Sequence, residues 1–470
     1  MAQVATQPRI ITAAEPAQRI RRGLVLAMAC AAMAMAGLDM AIVNVALPSM
    51  QREFGVEHST LQWVVVAYGL LLGGFLLLGG RMADRLGRRR IFIAGLAVFT
   101  GASFLAGAAQ QASVLIAARA VQGFGAALIV PAALSLIAVT FAEGPERDRA
   151  LGFFGAVGGI AASVGVVASG LLTAGPGWRW AFYINLPAGL LLIGLAVVFA
   201  PERAGDRNAR LDIAGAITVT GGLLLCVYAL HHAASDGWVA GSTLALFAAA
   251  AVLLSALVRI EARTAAPLIP PAALRNRSLV AANLTAFLAS CAFLAFIFIG
   301  SLLMQQALGY SPILTGLAWL ATTATIFPVA MTGGRLAAKV GVRRLLITGL
   351  SLFAVAALWL ARIPGDAGYV TDVLPAFLLA GIGFGLVEPA LQIGALTGVS
   401  QSDSGLASGL IETTREVGGA AGVAGVSTAL VAGSGIHGFH TAFAIIAVLA
   451  ALGMATAIAG FARGKQREEV

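Results

Sequence analysis

The chain has 470 residues, 59% of them hydrophobic and 11% charged, with a mean hydropathy of +0.92. A soluble domain is about 45–50% apolar and about 25% charged, so this composition excludes a soluble globular protein, a disordered chain and a secreted disulfide scaffold. It leaves a polytopic helical membrane protein. The net charge of +9 does not point to nucleic acid, because no soluble basic segment exists to carry it; in a membrane protein basic residues gather in cytoplasmic loops. Cys30, Cys226 and Cys291 lie in apolar stretches without a CxxC, so neither a disulfide framework nor a metal site is indicated.

A bilayer-spanning helix needs about 20 mostly apolar residues. By that measure the chain predicts fourteen spans, at about 23–48, 61–80, 91–110, 113–139, 150–174, 182–200, 212–232, 239–258, 279–303, 313–333, 345–362, 371–397, 404–431 and 438–461. The first is too long for the apolar core of a signal peptide. With both termini cytoplasmic, the inside loops collect the basic residues, among them Arg81, Arg85, Arg88, Arg89, Arg90, Arg147, Arg149, Arg203, Arg207, Arg210, Arg335, Lys339, Arg343 and Arg344, with Arg463, Lys465 and Arg467 in the C-terminal tail. The outside loops hold only Arg52, Arg179 and Arg362. This asymmetry sets the orientation.

In chain order, span 1 carries Asp39 and span 4 carries Arg119. At about 1.5 Å per residue, these lie about 13 Å and about 9 Å from the outer ends of their spans. The loop between spans 2 and 3 runs Gly80-Arg81-Met82-Ala83-Asp84-Arg85-Leu86-Gly87-Arg88-Arg89-Arg90; Asp84 is expected to favour the N-terminal dipole of span 3. Span 5 carries a small-residue stripe for close helix packing, Gly155, Gly159, Ala162, Gly165, Ser169 and Gly170. Trp178, Trp180 and Trp238 read as an outer aromatic belt, and spans 7 and 8, free of mid-membrane charge, as a peripheral hairpin.

In the second half, Glu388 lies about 13 Å from the inner end of span 12, and Glu412 about 12 Å from that of span 13. Pro389 makes a helix break at Glu388 the expectation. Glu412, Arg415 and Glu416 share one helix face by their i, i+3, i+4 spacing. An ionisable residue at the bilayer centre costs about 2.5–3.5 kcal/mol on insertion scales, so Asp39, Arg119, Glu388, Glu412, Arg415 and Glu416 each call for a function or a partner. A carboxyl that alternates between apolar and cation-paired surroundings changes its proton affinity, which makes these six the candidate proton-coupling residues, Asp39 foremost. A permanent ion pair, Arg415 with Glu416 or Glu412 for instance, is the competing structural reading.

The loop after span 10, Gly334-Arg335-Leu336-Ala337-Ala338-Lys339-Val340-Gly341-Val342-Arg343-Arg344, aligns with the loop after span 2 at an offset of 254 residues. Spans 1–6 and 9–14 are therefore related halves around an inserted hairpin, an arrangement known from transporters. The corresponding divisions are a tail (1–22), a six-helix bundle (23–200), the hairpin with its linkers (201–278), a second six-helix bundle (279–461) and a tail (462–470).

The first of these loops resembles the signature loop of the major facilitator superfamily, and the fourteen-span count resembles its drug:proton antiporter branch, the EmrB/QacA-like group. Leu38-Asp39-Met40 through Asn44 to Pro48 resembles that branch's first-helix motif, and Arg119-Ala120-Val121-Gln122-Gly123 its fourth-helix motif. Trp178-Arg179-Trp180 through Asn185-Leu186-Pro187, and the run from Gly405 to Gly425, resemble it too. The chain departs from the branch at Gly165-Val166, where a Gly-Pro is usual, at Ala338, and at Glu388 and Glu412.

The resemblance implies a major facilitator fold of two six-helix bundles plus a two-helix hairpin. It also implies a cytoplasmic gate in which Gly80, Arg81, Asp84, Arg85, Gly87, Arg88 and Arg89 latch the inner face. The expected activity is proton-coupled efflux of small amphipathic or cationic compounds by alternating access. An uptake symporter and a narrow self-resistance exporter are the alternatives on the same fold. No HExxH, GxSxG or P-loop pattern is present, so no enzyme is expected; nor is a cofactor beyond the proton gradient, a bound metal or a nucleic-acid partner. The expected partners are a small-molecule substrate, protons and the bilayer, and the expected state is a monomer. An Ala-rich composition with Arg over Lys suits a GC-rich bacterium and its cytoplasmic membrane, and the tails are too short for a signalling domain.

Overall fold

The structure, a computed structural model, describes residues 14–56, 58–202, 213–261, 263–264, 275–400, 403–432 and 435–461. Arg203, Arg207, Arg210, Arg463, Lys465 and Arg467 lie outside the described residues, as do the first thirteen residues of the tail.

Fifteen α-helices run through the described residues: α1 (Ala14–Phe54), α2 (His58–Leu86), α3 (Arg88–Gly107), α4 (Ala112–Thr140), α5 (Pro145–Ala174), α6 (Trp180–Tyr183), α7 (Asn185–Phe199), α8 (Ile213–Asp236), α9 (Gly241–Glu261), α10 (Arg277–Leu302), α11 (Pro312–Val340), α12 (Val342–Leu360), α13 (Leu374–Leu396), α14 (Ser404–Ala432) and α15 (Ile436–Gly460). Fourteen are long; α6 is one turn. Eleven helical stretches are long and apolar enough to cross a membrane. The predicted spans over α5, α8 and α14 have no such stretch among the described residues; α14 carries Glu412, Arg415 and Glu416 near its middle. Single π-helical turns extend α10 (Leu303–Ala307) and precede α13 (Tyr369–Val373). Pro389 leaves α13 continuous from Leu374 to Leu396, so the expected break at Glu388 does not occur: packing on all sides holds the helix past one missing N–H.

The helices form two bundles, with α4 and α13 at their centres, both buried along most of their length. Gly87 and Gly341 start α3 and α12 with φ of 101° and 85°, the same glycine-dependent turn at repeat-equivalent positions. The bundles meet along two seams, α2 against α14 and α5 against α11. Where α2 crosses α14, a Cβ on Gly80 would collide with the carbonyl oxygen of Gly405; this crossing exists only between two glycines. The inserted hairpin is not wholly peripheral. Its α8 lies against both α2 and α14, with Leu224 packed on Gly74, Trp63 stacked on Tyr228 at 5.8 Å and Trp238 Nε1 donating to Thr428 Oγ1 at 2.6 Å.

Candidate functional site: two buried charge clusters and a latch

The first cluster is in the N-terminal bundle. α1 delivers Asp39, α4 delivers Arg119 and Gln122 one turn apart, α3 delivers Ser103, and α7 begins with Asn185. Asp39 and Arg119 are fully buried. Arg119 Nη1 donates to Asp39 Oδ2 and to Gln122 Oε1 (2.8 Å), and Arg119 Nε donates to the Val64 carbonyl (3.0 Å). Asp39 Oδ1 accepts from Gln122 Nε2 and from Asn185 Nδ2, both at 2.7 Å. Ser103 Oγ accepts from Gln122 at 2.8 Å and donates to the Phe99 carbonyl at 2.8 Å. The guanidinium lies 4.1 Å over the ring of Tyr68, a cation–π contact. One carboxylate meets one guanidinium, and both carboxylate oxygens have donors, while Arg119 Nη2 is buried without a hydrogen-bond partner among the described residues. Such a network is stabilising when complete and costly when broken.

The second cluster is in the C-terminal bundle. Arg415 Nη1 of α14 lies 2.8 Å from Glu388 Oε1 of α13 and 3.1 Å from both oxygens of Glu412. Gln392, one turn beyond Glu388, donates through Nε2 to Glu412 Oε1 (2.9 Å) and to Glu388 Oε1 (3.4 Å). Arg415 thus bridges two helices rather than pairing with Glu416, which sits at the seam with its Cβ 3.6 Å from where a Cβ on Gly73 of α2 would be. Two carboxylates share one guanidinium, and a third, Glu416, lies on the next residue of α14. Glu388 Oε2, Gln392 Oε1 and Arg415 Nε are buried without a hydrogen-bond partner among the described residues.

The third element is the contact between the two bundles at the end of α2. Asp84 accepts from the backbone N–H groups of Gly405 (3.0 Å) and Leu406 (2.8 Å), at the N-terminus of α14. The favourable dipole is therefore that of α14 in the opposite bundle, not that of α3, because α2 crosses α14 at Gly80 and Gly405. Arg88 spans the junction, donating to Asp84 Oδ1 (2.9 Å), Ser135 Oγ (2.6 Å) and Ser404 Oγ (3.2 Å). Arg81 faces Asp403 at 3.6 Å. Arg89 pairs with Glu202 at 3.0 Å within its own bundle, and Arg85 keeps Nη1 buried without a hydrogen-bond partner among the described residues. Across the other seam Arg147 donates to the Leu396 carbonyl at 3.2 Å. The two bundles are closed together at this face. The start of α1 (Arg22 to Glu146, 3.4 Å) and the end of α15 (Phe461 beside Gly394) lie on the same face.

Of the α5 stripe, Gly155 and Gly165 are buried, and Gly155 faces Glu388. The side-chain surroundings of Gly159, Ala162, Ser169 and Gly170 lie outside the described residues. Trp178 is not an interfacial belt residue: it is buried and donates through Nε1 to Glu53 Oε2 at 2.6 Å. Trp180 is half exposed.

The sequence profile of the Major Facilitator Superfamily matches residues 29–423. The chain belongs to this superfamily. It is similar to the puromycin resistance protein of Streptomyces alboniger, with 38% identity over 85% of this chain and 80% of that one. It is also similar to the cephamycin export protein of Amycolatopsis lactamdurans, with 36% identity over 88% and 85%. A lincomycin resistance protein of Streptomyces lincolnensis is 32% identical over 95% and 92%. In fold, the chain resembles the crystal structure of the human organic anion transporter MFSD10, with a TM-score of 0.69 at 17% identity, covering 93% of this chain and 99% of that one.

Within this superfamily member, residue-by-residue reading of charges missed the neutral partners. Gln122 and Asn185 stand inside the fourth-helix and Trp178–Pro187 motifs, so their signal was present; Ser103, Tyr68 and Gln392 carry none, being ordinary helix residues until the tertiary fold surrounds them. The repeat also marks the clusters as unrelated. The residue equivalent to Asp39 in the second half is Phe293, and, with the helices matched at their glycine crossings, those equivalent to Glu388, Glu412, Arg415 and Glu416 in the first half are Val130, Gly155, Gly158 and Gly159.

Proposed function

We propose that the protein is a proton-coupled efflux transporter that exports small amphipathic or cationic compounds by alternating access, within the fourteen-span drug:proton antiporter branch. In this reading both termini face the cytoplasm of a bacterium, and the bundle contact at Asp84 is the closed cytoplasmic gate. The observation that carries the coupling is the surplus of acid at the bundle seam: two carboxylates paired with one guanidinium and a third, Glu416, beside them on α14 without an ion pair to it, in surroundings where an unpaired charge is expensive. Such a site is relieved by a proton or by a cationic substrate, and exchange of one for the other couples the two fluxes. Asp39, with every oxygen bonded, supports a positioning role in this state, leaving Glu388, Glu412 and Glu416 as the carriers of the exchange. Relatives named for puromycin, cephamycin and lincomycin support export over uptake and also favour a narrow antibiotic exporter as the second reading.

The test uses inside-out vesicles with an imposed proton gradient and a fluorescent cationic dye. Gradient-driven uptake in the wild type that is abolished in Glu388→Gln and Glu412→Gln is the expected result. Uptake independent of the gradient would end the coupling proposal.

A further inference from the structure

In the C-terminal cluster carboxylates outnumber the guanidinium, and two acceptor atoms are reached by no donor among the described residues, the unused Arg415 Nε included. Gln392 Nε2 donates to both Glu388 and Glu412. Ionised carboxylates only accept, so the amide orientation is set and Gln392 Oε1 is turned outward as an acceptor. That oxygen and Glu388 Oε2 are buried without a donor, in residues 1% and 3% exposed. A buried acceptor left without a donor costs more than a formed hydrogen bond returns. A single proton on Glu388 would remove its charge and supply one O–H donor. An alkylammonium group brings up to three N–H donors with its charge.

The surroundings specify the rest of such a ligand. Phe384, Glu388 and Gln392 follow one another at i, i+4, i+8 on one face of α13, and Phe384 is stacked on Phe293 with ring centroids 3.5 Å apart. An apolar aromatic wall therefore begins one turn from the carboxylate. The opposite bundle meets the cluster with glycines: a Cβ on Gly155 would lie 3.2 Å from Glu388 Cγ. The two acceptors thus stand where the bundles part during alternating access.

We propose that Glu388 Oε2 and Gln392 Oε1 are the docking point for a protonated amine on an amphipathic substrate whose apolar body lies along Phe293 and Phe384. The assignment rests on the export reading above and names its substrate class. The preference is for N–H-bearing cations over both quaternary cations and neutral analogues.

The test is equilibrium binding to the purified full-length protein in nanodiscs, without any gradient. It uses three forms of one dye: dansylcadaverine, its N,N,N-trimethylammonium derivative and its N-acetylated neutral derivative. The amine form is expected to bind about tenfold more tightly than either other form, and Glu388→Gln to erase that preference while leaving the weak binding of the acetylated form unchanged. Because the three-way comparison is made first on the wild type, it does not depend on the variant folding. Equal binding of the three forms by the wild type overturns the inference, as does an intact preference in a monodisperse Glu388→Gln protein. Gradient-driven vesicle uptake of all three forms without amine preference would leave export standing and remove only this inference. Amine-selective binding with no gradient-driven uptake would uphold the docking point and remove the proton-coupled reading.

Discussion

Around Asp39, one guanidinium answers one carboxylate, and three further side chains leave both carboxylate oxygens with donors, with only the donor Arg119 Nη2 unpartnered among the described residues of the cluster. Around Arg415, two carboxylates share one guanidinium with Glu416 close by in sequence, and among the described residues a carboxylate oxygen, an amide oxygen and the guanidinium Nε go without hydrogen-bond partners. The clusters occupy halves related by the 254-residue repeat but stand at non-equivalent positions, each opposite apolar residues in the other half. The difference separates two uses of intramembrane charge. A network whose carboxylate is satisfied ties helices α1, α3, α4 and α7 together, whereas a network with unsatisfied acceptors holds, in the reading proposed above, a deficit that a ligand can remove. Under the proposed alternating access, the first serves as the rigid half and the second as the half whose seam changes occupancy.

The largest effect that bears on this contrast is expected from Arg119→Ala. It strands a buried carboxylate and should cost about 3–5 kcal/mol, read as thermal unfolding in detergent; a loss no larger than that of the exposed Arg90→Ala would break the description of the first cluster as a strut. Arg415→Ala should cost less, about 1–3 kcal/mol, because its side chain is 20% exposed and Gln392 keeps its bonds to two of the carboxylates. Equal losses in the two variants would erase the distinction.

The ends of the molecule sharpen it further. Asp84→Asn weakens the charge-assisted bonds that hold the first turn of α14, and hydrogen exchange at the amides of Gly405 and Leu406 should accelerate about tenfold. Unchanged exchange would place the closure of this face in the glycine crossing alone. The smallest effect belongs to Glu53, at the other end of α1. Its carboxyl is held below the usual range first by the Trp178 Nε1 bond, which desolvation opposes, and further by the hydrogen bond and charge of Arg179. A lowered folded-state pKa gives stability that is present above the unfolded value of about 4.3 and is lost as pH falls through the folded value. The gap in melting temperature between wild type and Glu53→Gln should therefore be open at neutral pH and close in acid. It should be small, because the Glu53 side chain is 46% exposed. A gap that persists in acid would assign the effect to packing.

Much of the architecture was legible because hydropathy acts locally. Runs of about 20 apolar residues mark helices whatever surrounds them, and the paired Gly80 and Gly334 loops mark the repeat. The misreadings came where a neighbour decides. Trp178 has the composition of a belt residue, yet Glu53 draws its indole N–H inward. Asp84 is near in sequence to the start of α3, yet the glycine crossing carries it to α14. The hairpin has no charge to advertise a role, yet α8 fills the groove between α2 and α14.

By itself, the sequence determined that this is a helical membrane protein with a duplicated core, six intramembrane charges and a basic loop between its second and third helices, since each of these is a property of composition or spacing along one helix. Only the tertiary structure decided which charges meet. Whether a carboxylate is satisfied depends on donors from helices far apart in the chain. Asn185 comes 146 residues after Asp39 and still donates to it, while Glu388 Oε2 is buried with no donor among the described residues.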